Sequence, residues 1–132
     1  MSDDPTLPAL LVIESDDAVR STLVQNLRRW GYRVIVSLDI KDASERVREG
    51  ALKVDIILIN QVGLSLDELI ISGRAIRQQS AGSSTDAFIV LLAEEYGVDL
   101  EGQDVQVGDR EYITYLEDGE QLMNLLHRLC PV

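Results

Sequence analysis

The sequence predicts an α/β domain: a doubly wound, five-stranded parallel sheet with helices on both faces. Three observations carry that reading. Short apolar runs of strand length recur along the chain, and most are apolar throughout instead of on alternate residues. Strands buried on both faces read that way, as in a parallel sheet covered by helices. Between the runs lie segments whose apolar residues recur at helical spacing, and strands alternating with helices imply right-handed crossovers. A chain of 132 residues then suits a single domain over 1–132, with an ordered core from about 9 to 129.

The five strands are expected at 9–13 (ALLVI), 33–36 (RVIV), 55–59 (DIILI), 88–92 (FIVLL) and 111–114 (EYIT). Most are rich in β-branched residues and too short for helices. The first helix is expected over 17–30, with Val19, Leu23, Leu27 and Trp30 on one inward stripe and Ser15 or Asp16 as its cap. Gly31 follows, where a left-handed stop costs least. A weaker helix over 39–49 turns Ala43 and Val47 inward and stops at Gly50. The next, over 65–78, carries Leu66, Leu69, Ile70, Gly73 and Ile76 on its stripe. The last, over 118–129, has Asp118 as N-cap and Leu122, Leu125, Leu126 and Leu129 inward. Between the fourth and fifth strands, 94–109 (EEYGVDLEGQDVQVGD) occupies the slot of a fourth helix. Its three glycines and several β-branched residues predict a short, irregular or mobile helix. The loosest stretch is 79–86 (QSAGSSTD).

Composition narrows the function classes. Twelve Lys and Arg against 23 Asp and Glu leave a net charge of −11, with no basic cluster to offset it. Such a surface repels phosphate backbones and anionic lipid, so nucleic acid and membrane are excluded as partners. No apolar run approaches the roughly 20 residues of a membrane span, and the acidic residues 1–4 have the wrong charge for a targeting segment. The single cysteine, Cys130, forms no internal disulfide. Together these imply a cytoplasmic domain.

In such a sheet, chemistry sits beyond the C-terminal ends of the strands. That rule selects Glu14, Ser15, Asp16 and Asp17 after the first strand, residues 60–63 after the third, 92–94 after the fourth and 115–117 after the fifth. The first loop has the carboxylates that suit a hard cation. The others offer an amide, aliphatic side chains and a phenol. No base and nucleophile are paired in these loops, so no enzyme class is predicted.

At these residues the chain resembles the response-regulator receiver domain of two-component, phosphorelay signalling (CheY-like, with the flavodoxin-like fold). The resemblance rests on the ordered set LVIESDDAVR, DIILIN, FIVLLA and EYITYL, and it spans about residues 9–129. It implies strand order 2-1-3-4-5 and a phosphoryl group accepted on an aspartate after the third strand. That position holds Asn60, whose amide is no nucleophile. The acidic pair that holds Mg²⁺ falls on Glu14 and Ser15, so the second carboxylate is missing. The hydroxyl residue after the fourth strand falls on Leu92, or on Ala93 in a register shifted by one. The lysine after the fifth strand falls on Tyr115, followed by Leu116 in place of proline. Phosphoryl transfer needs nucleophile, metal, hydroxyl and cation together, so the resemblance implies a degenerate pocket of Glu14, Ser15, Asn60, Leu92 and Tyr115 with no catalytic residue, metal or cofactor.

The leading reading is therefore a bacterial pseudo-receiver: a phosphorylation-independent module that binds another signalling protein. The family's usual face implies the fourth helix, fifth strand and last helix, here 94–109, Tyr112, Tyr115, Leu116 and the outward side of 118–129. That same face is open to homodimer formation. In the family an aromatic at the place of Tyr112 swings inward on phosphorylation; here Leu92 is set against that space. The alternatives are a small-molecule sensor using Asn60, Leu92 and Tyr115 at the strand ends, and a receiver with atypical phosphorylation. A flavodoxin-type FMN carrier is disfavoured by the acidic first loop. Asp55 lies at the wrong end of the sheet for chemistry, and Asp67 reads as a first-turn dipole partner. Trp30 and Tyr32 read as packing, and His127 as an exposed residue without partners.

Overall fold

The computed structural model describes residues 6–50, 53–60, 63–79 and 86–132. The expected stretch at 79–86 therefore lies largely outside the described residues. The elements run β1 (Ala9–Ile13), α1 (Asp17–Arg29), β2 (Arg33–Ser37), α2 (Ile40–Gly50), β3 (Ile56–Asn60), α3 (Leu66–Gln79), β4 (Phe88–Leu92), β5 (Asp104–Gly108), β6 (Glu111–Thr114) and α4 (Gly119–Leu129). They form one sheet of order β2-β1-β3-β4-β6-β5. Five strands pair in parallel, and β5 pairs antiparallel with β6 at the edge.

Alternation along each central strand sends neighbouring side chains to two separate cores. Leu11, Ile13, Ile57, Ile59, Ile89 and Leu91 meet Ala43 and Val47 of α2 and Leu69 and Ile76 of α3. Leu10, Val12, Ile56, Leu58, Val90 and Leu92 meet Leu27 of α1 and Leu122, Leu125 and Leu126 of α4. The sheet is thus covered by α2 and α3 on one face and by α1 and α4 on the other.

The helix ends are set by local chemistry. Asp16 accepts a hydrogen bond from the Val19 amide at 3.0 Å and caps α1; Asp118 accepts from the Gln121 amide at 2.9 Å and caps α4. A capping box starts α3: the Ser65 hydroxyl accepts from the Glu68 amide, and the Glu68 carboxylate accepts from the Ser65 amide. Those bonds hold the Glu68 carboxyl below its ordinary range. Gly31 has φ +107, the left-handed stop predicted after α1. Gly73, inside α3, lets that helix approach β4, since a Cβ there would stand 3.1 Å from Ile89 Cγ2.

Three expectations are corrected. The slot between β4 and β6 holds no helix among the described residues. It holds turns and then β5, which adds a sixth strand and makes the sheet mixed instead of wholly parallel. The physical reason lies in the sequence: Asp104, Val105, Gln106 and Val107 alternate polar and apolar, and Asp109–Arg110 makes a two-residue turn with Arg110 at φ 61. Gly102, at φ +88, supplies a turn that a helix would forbid. Second, Val19 is not inward: it is 47% exposed, because it sits over a cleft at the start of α1. Third, His127 is partly buried, its ring 5.8 Å from that of Tyr32 and its Nε2 3.0 Å from the Trp30 carbonyl oxygen.

Candidate functional site

Parallel pairing brings the C-terminal ends of β1, β3, β4 and β6 to one edge of the sheet, with Asn60 opposite Leu92 and Leu92 opposite Thr114. Glu14, directly after β1, is only 1% exposed. Its amide donates to the Ser37 carbonyl at 3.1 Å, and its carboxylate accepts from the Asp16 amide at 3.1 Å and from Asn60 Nδ2. Asn60, at the end of β3, therefore points its amide nitrogen at the carboxylate. Leu92 closes the space beside them with an apolar side chain.

Glu14, Asn60, Leu92 and Ala93 line one cleft of about 590 Å³. Both registers considered for the residue after β4 thus place a side chain without a hydroxyl at this cleft. Ser15, by contrast, is exposed and lines a smaller hollow of about 120 Å³ with Asn60, Leu38 and Ile40. Tyr115 does not line the cleft. Its ring packs edge-on against Tyr96, centroids 5.4 Å apart, and its backbone is tied to Gln103 and Gly102 at 2.9 and 2.7 Å. Tyr96, which the sequence did not single out, also donates its hydroxyl to the Leu116 carbonyl, while the Leu116 side chain packs on the α1/α4 core. Tyr112 is half-buried on that same core, its ring 6.5 Å from Phe88.

The residues here do not fit the magnesium that the fold family implies. Among the described residues no group of three His, Cys, Asp or Glu side chains gathers to hold a metal. Asp16 spends its carboxylate on the α1 cap, Asp17 pairs with Arg20, and Glu14 faces an amide. A hard cation seeks several oxygens, more than one carboxylate supplies.

Two other polar groups lie away from this edge. Glu111, at the start of β6, accepts from Arg74 Nε and Nη2 at 2.8 and 2.6 Å and from Arg77 Nη2 at 2.8 Å. The hydrogen bonds from Arg74, and then those from Arg77, outweigh burial and hold the Glu111 carboxyl below its ordinary value. Cys130 has its thiol pushed up to about 11 by burial and by Asp55, which leaves it a poor nucleophile at neutral pH.

The chain superposes on the Vibrio cholerae chemotaxis protein CheY4 with a TM-score of 0.67 at 17% identity, covering 94% of this chain and 99% of that one. The receiver domain of the hybrid histidine kinase CckA gives 0.63 at 19% identity over 92% and 97%. The pseudo-receiver domain of the CikA protein gives 0.58 at 19% identity over 96% and 99%. This is the receiver-domain fold. By sequence the chain matches no family model and no curated protein. Among the described residues, the slot between β4 and β6 holds the strand at 104–108 and no helix. No helix of the described residues is long and apolar enough to cross a membrane.

Proposed function

We propose that this chain is a pseudo-receiver of two-component signalling, a cytoplasmic, non-enzymatic module that binds a protein partner without being switched by phosphorylation. The observation that carries the reading is the side chain at the end of β3. Asn60 offers an amide bonded to Glu14 where phosphoryl transfer would need a free carboxylate. Leu92 has no hydroxyl to offer a transferred phosphoryl group, and Tyr115, turned onto Tyr96, brings no cation. The likeness to the CikA pseudo-receiver domain supports the same reading.

The partner face that the family suggests is rebuilt here from the β5–β6 hairpin instead of a helix. Tyr115 stands on it with Tyr96, Tyr112 packs beneath its edge, and Leu116 anchors the turn into α4. Rigid tyrosines supply amphipathic contact area at low entropic cost. Amide NMR spectra taken with Mg²⁺ and then with acetyl phosphate or beryllofluoride test the first half of the proposal. The expected result is no saturable shift at Asn60, Leu92 or Tyr115, and such shifts would overturn it. Affinity capture with wild-type chain and with Tyr112→Ala or Tyr115→Ala tests the second. A partner retained equally by all three places the interface elsewhere.

A further inference from the structure

The cleft at the strand ends extends well past the phosphoacceptor position. It runs along the length of α1 and past the start of α4, from Glu14 and Asn60 at one end to Trp30, the C-cap of α1, at the other. Its walls are mostly apolar, with Val19, Leu23, Trp30, Leu92, Leu116 and Leu122 outweighing Thr22 and Asn26. Val19 is left half-exposed at the mouth, and a Cβ on Gly119 would meet nothing within 4 Å. The helices therefore stand apart here with apolar surface uncovered, and a volume of about 590 Å³ falls in the range of small-molecule sites.

Charge selects the occupant. Among the described residues, Glu14 is the one acidic or basic side chain lining the cleft, and it is nearly removed from solvent. Two of its roughly four acceptor positions are used, by the Asp16 amide and by Asn60. The chain next to the lining residues adds Asp16, Asp17, Glu94, Glu95, Glu117 and Asp118, all exposed. The nearby cation, Arg20, is engaged with Asp17 and with the Glu14 carbonyl at 2.9 Å. A phosphate or carboxylate ligand would be repelled, whereas a cation would be drawn in and bound most strongly in the low-dielectric inner end.

We propose that the α1–α4 cleft binds a small hydrophobic amine, its cationic nitrogen donating to Glu14 and its apolar body lying along Leu23 and Leu122 towards Trp30. The proposal goes beyond the interaction-module reading and does not depend on it: Tyr96 and Leu116 border both the cleft and the partner face, but the amine is held by Glu14, Leu23, Leu122 and Trp30, none of which the partner face uses.

Naphthylmethylamine, naphthylmethanol and naphthoic acid, equal in apolar body and different in head group, form the test. In amide NMR titrations of the full chain, the amine is expected to give saturable shifts at Val19, Thr22, Leu23 and the Trp30 indole, with a dissociation constant below about 1 mM. The alcohol is expected to bind about tenfold more weakly and the acid not at all. Glu14→Gln should bring the amine down to the alcohol's affinity. Gly119→Phe, filling open space, should abolish binding of both while leaving the remaining amide pattern folded. Equal binding of all three probes, shifts confined to the acidic loops, or an amine affinity unmoved by both variants would overturn the proposal. So would an absence of any saturable shift.

Discussion

Replacing Asn60 by aspartate, the change that would formally restore a phosphoacceptor, is expected to destabilise the chain instead of activating it. The Asn60 amide donates to a Glu14 carboxylate that is almost wholly buried. Asn60→Asp removes a hydrogen bond to a charged acceptor, worth about 1.5–3 kcal/mol. It also sets two negative charges together; at about 4 Å and an effective dielectric near 20 that repulsion is roughly 4 kcal/mol. The protein escapes the sum by keeping one proton on the pair. For a carboxyl group with an ordinary value near 4, holding that proton at pH 7 costs about 4 kcal/mol. The cost at pH 7 is therefore capped near 4 kcal/mol. The folded variant then holds one more proton than its unfolded chain, so the penalty shrinks by about 1.4 kcal/mol for each pH unit of acidification. At pH 5 roughly 1.4 kcal/mol remains by the same arithmetic. Urea denaturation followed by the fluorescence of the single tryptophan, at pH 7 and pH 5, reads both numbers. A variant within about 0.5 kcal/mol of wild type at pH 7, with an unchanged pH profile, would refute the Glu14–Asn60 contact. The variant is also expected to take no label from acetyl phosphate, because Ser15, Leu92 and Tyr115 still lack the other three groups.

Glu111→Gln removes the negative charge on which two guanidinium groups converge, one of them, on Arg77, only 16% exposed, and should cost about 2–3 kcal/mol in chemical denaturation at pH 7. Because Arg74 and Arg77 lower the Glu111 value in the folded state, its stabilisation is full above the ordinary carboxyl value and fades as pH falls through the lowered one. Wild type and variant should therefore begin to converge below about pH 4 and meet only below the lowered value. Tyr32→Phe removes the hydroxyl that donates to the Cys130 carbonyl at 2.9 Å and should lower stability by about 1 kcal/mol, measured the same way. Iodoacetamide should label Cys130 much more slowly at pH 8 than it labels a small free thiol, since its thiol sits near 11; an equal rate would show that the last turn of α4 does not bury it.

Much of the fold is legible in the sequence because its signals are local. Continuous apolar runs such as FIVLL mark strands buried on both sides, and Asp16, Gly31 and Asp118 mark helix ends by their own backbone chemistry. The strand-end rule then placed Glu14, Asn60 and Leu92 at one edge, where the structure brings them together. The β5–β6 hairpin was also written locally, in the alternation of 104–107 and the turn after Gly108. It lost to the expectation that a helix fills every crossover. Tyr115 lies at the strand end the rule selects, but its ring packs on Tyr96, a contact across 18 intervening positions of no periodic pattern.

The sequence by itself determined the alternation of strands and helices, the residue types at the strand ends and the acidic character of the chain. Each depends on residue type and near-neighbour spacing. Tertiary structure alone decided that Arg74 and Arg77 converge on Glu111, that His127 packs on Tyr32, and that α1 and α4 part to leave an apolar cleft above Glu14. Those outcomes follow from how whole helices seat on a twisted sheet, where volumes and angles are summed over residues far apart in the chain, and no local pattern encodes that sum.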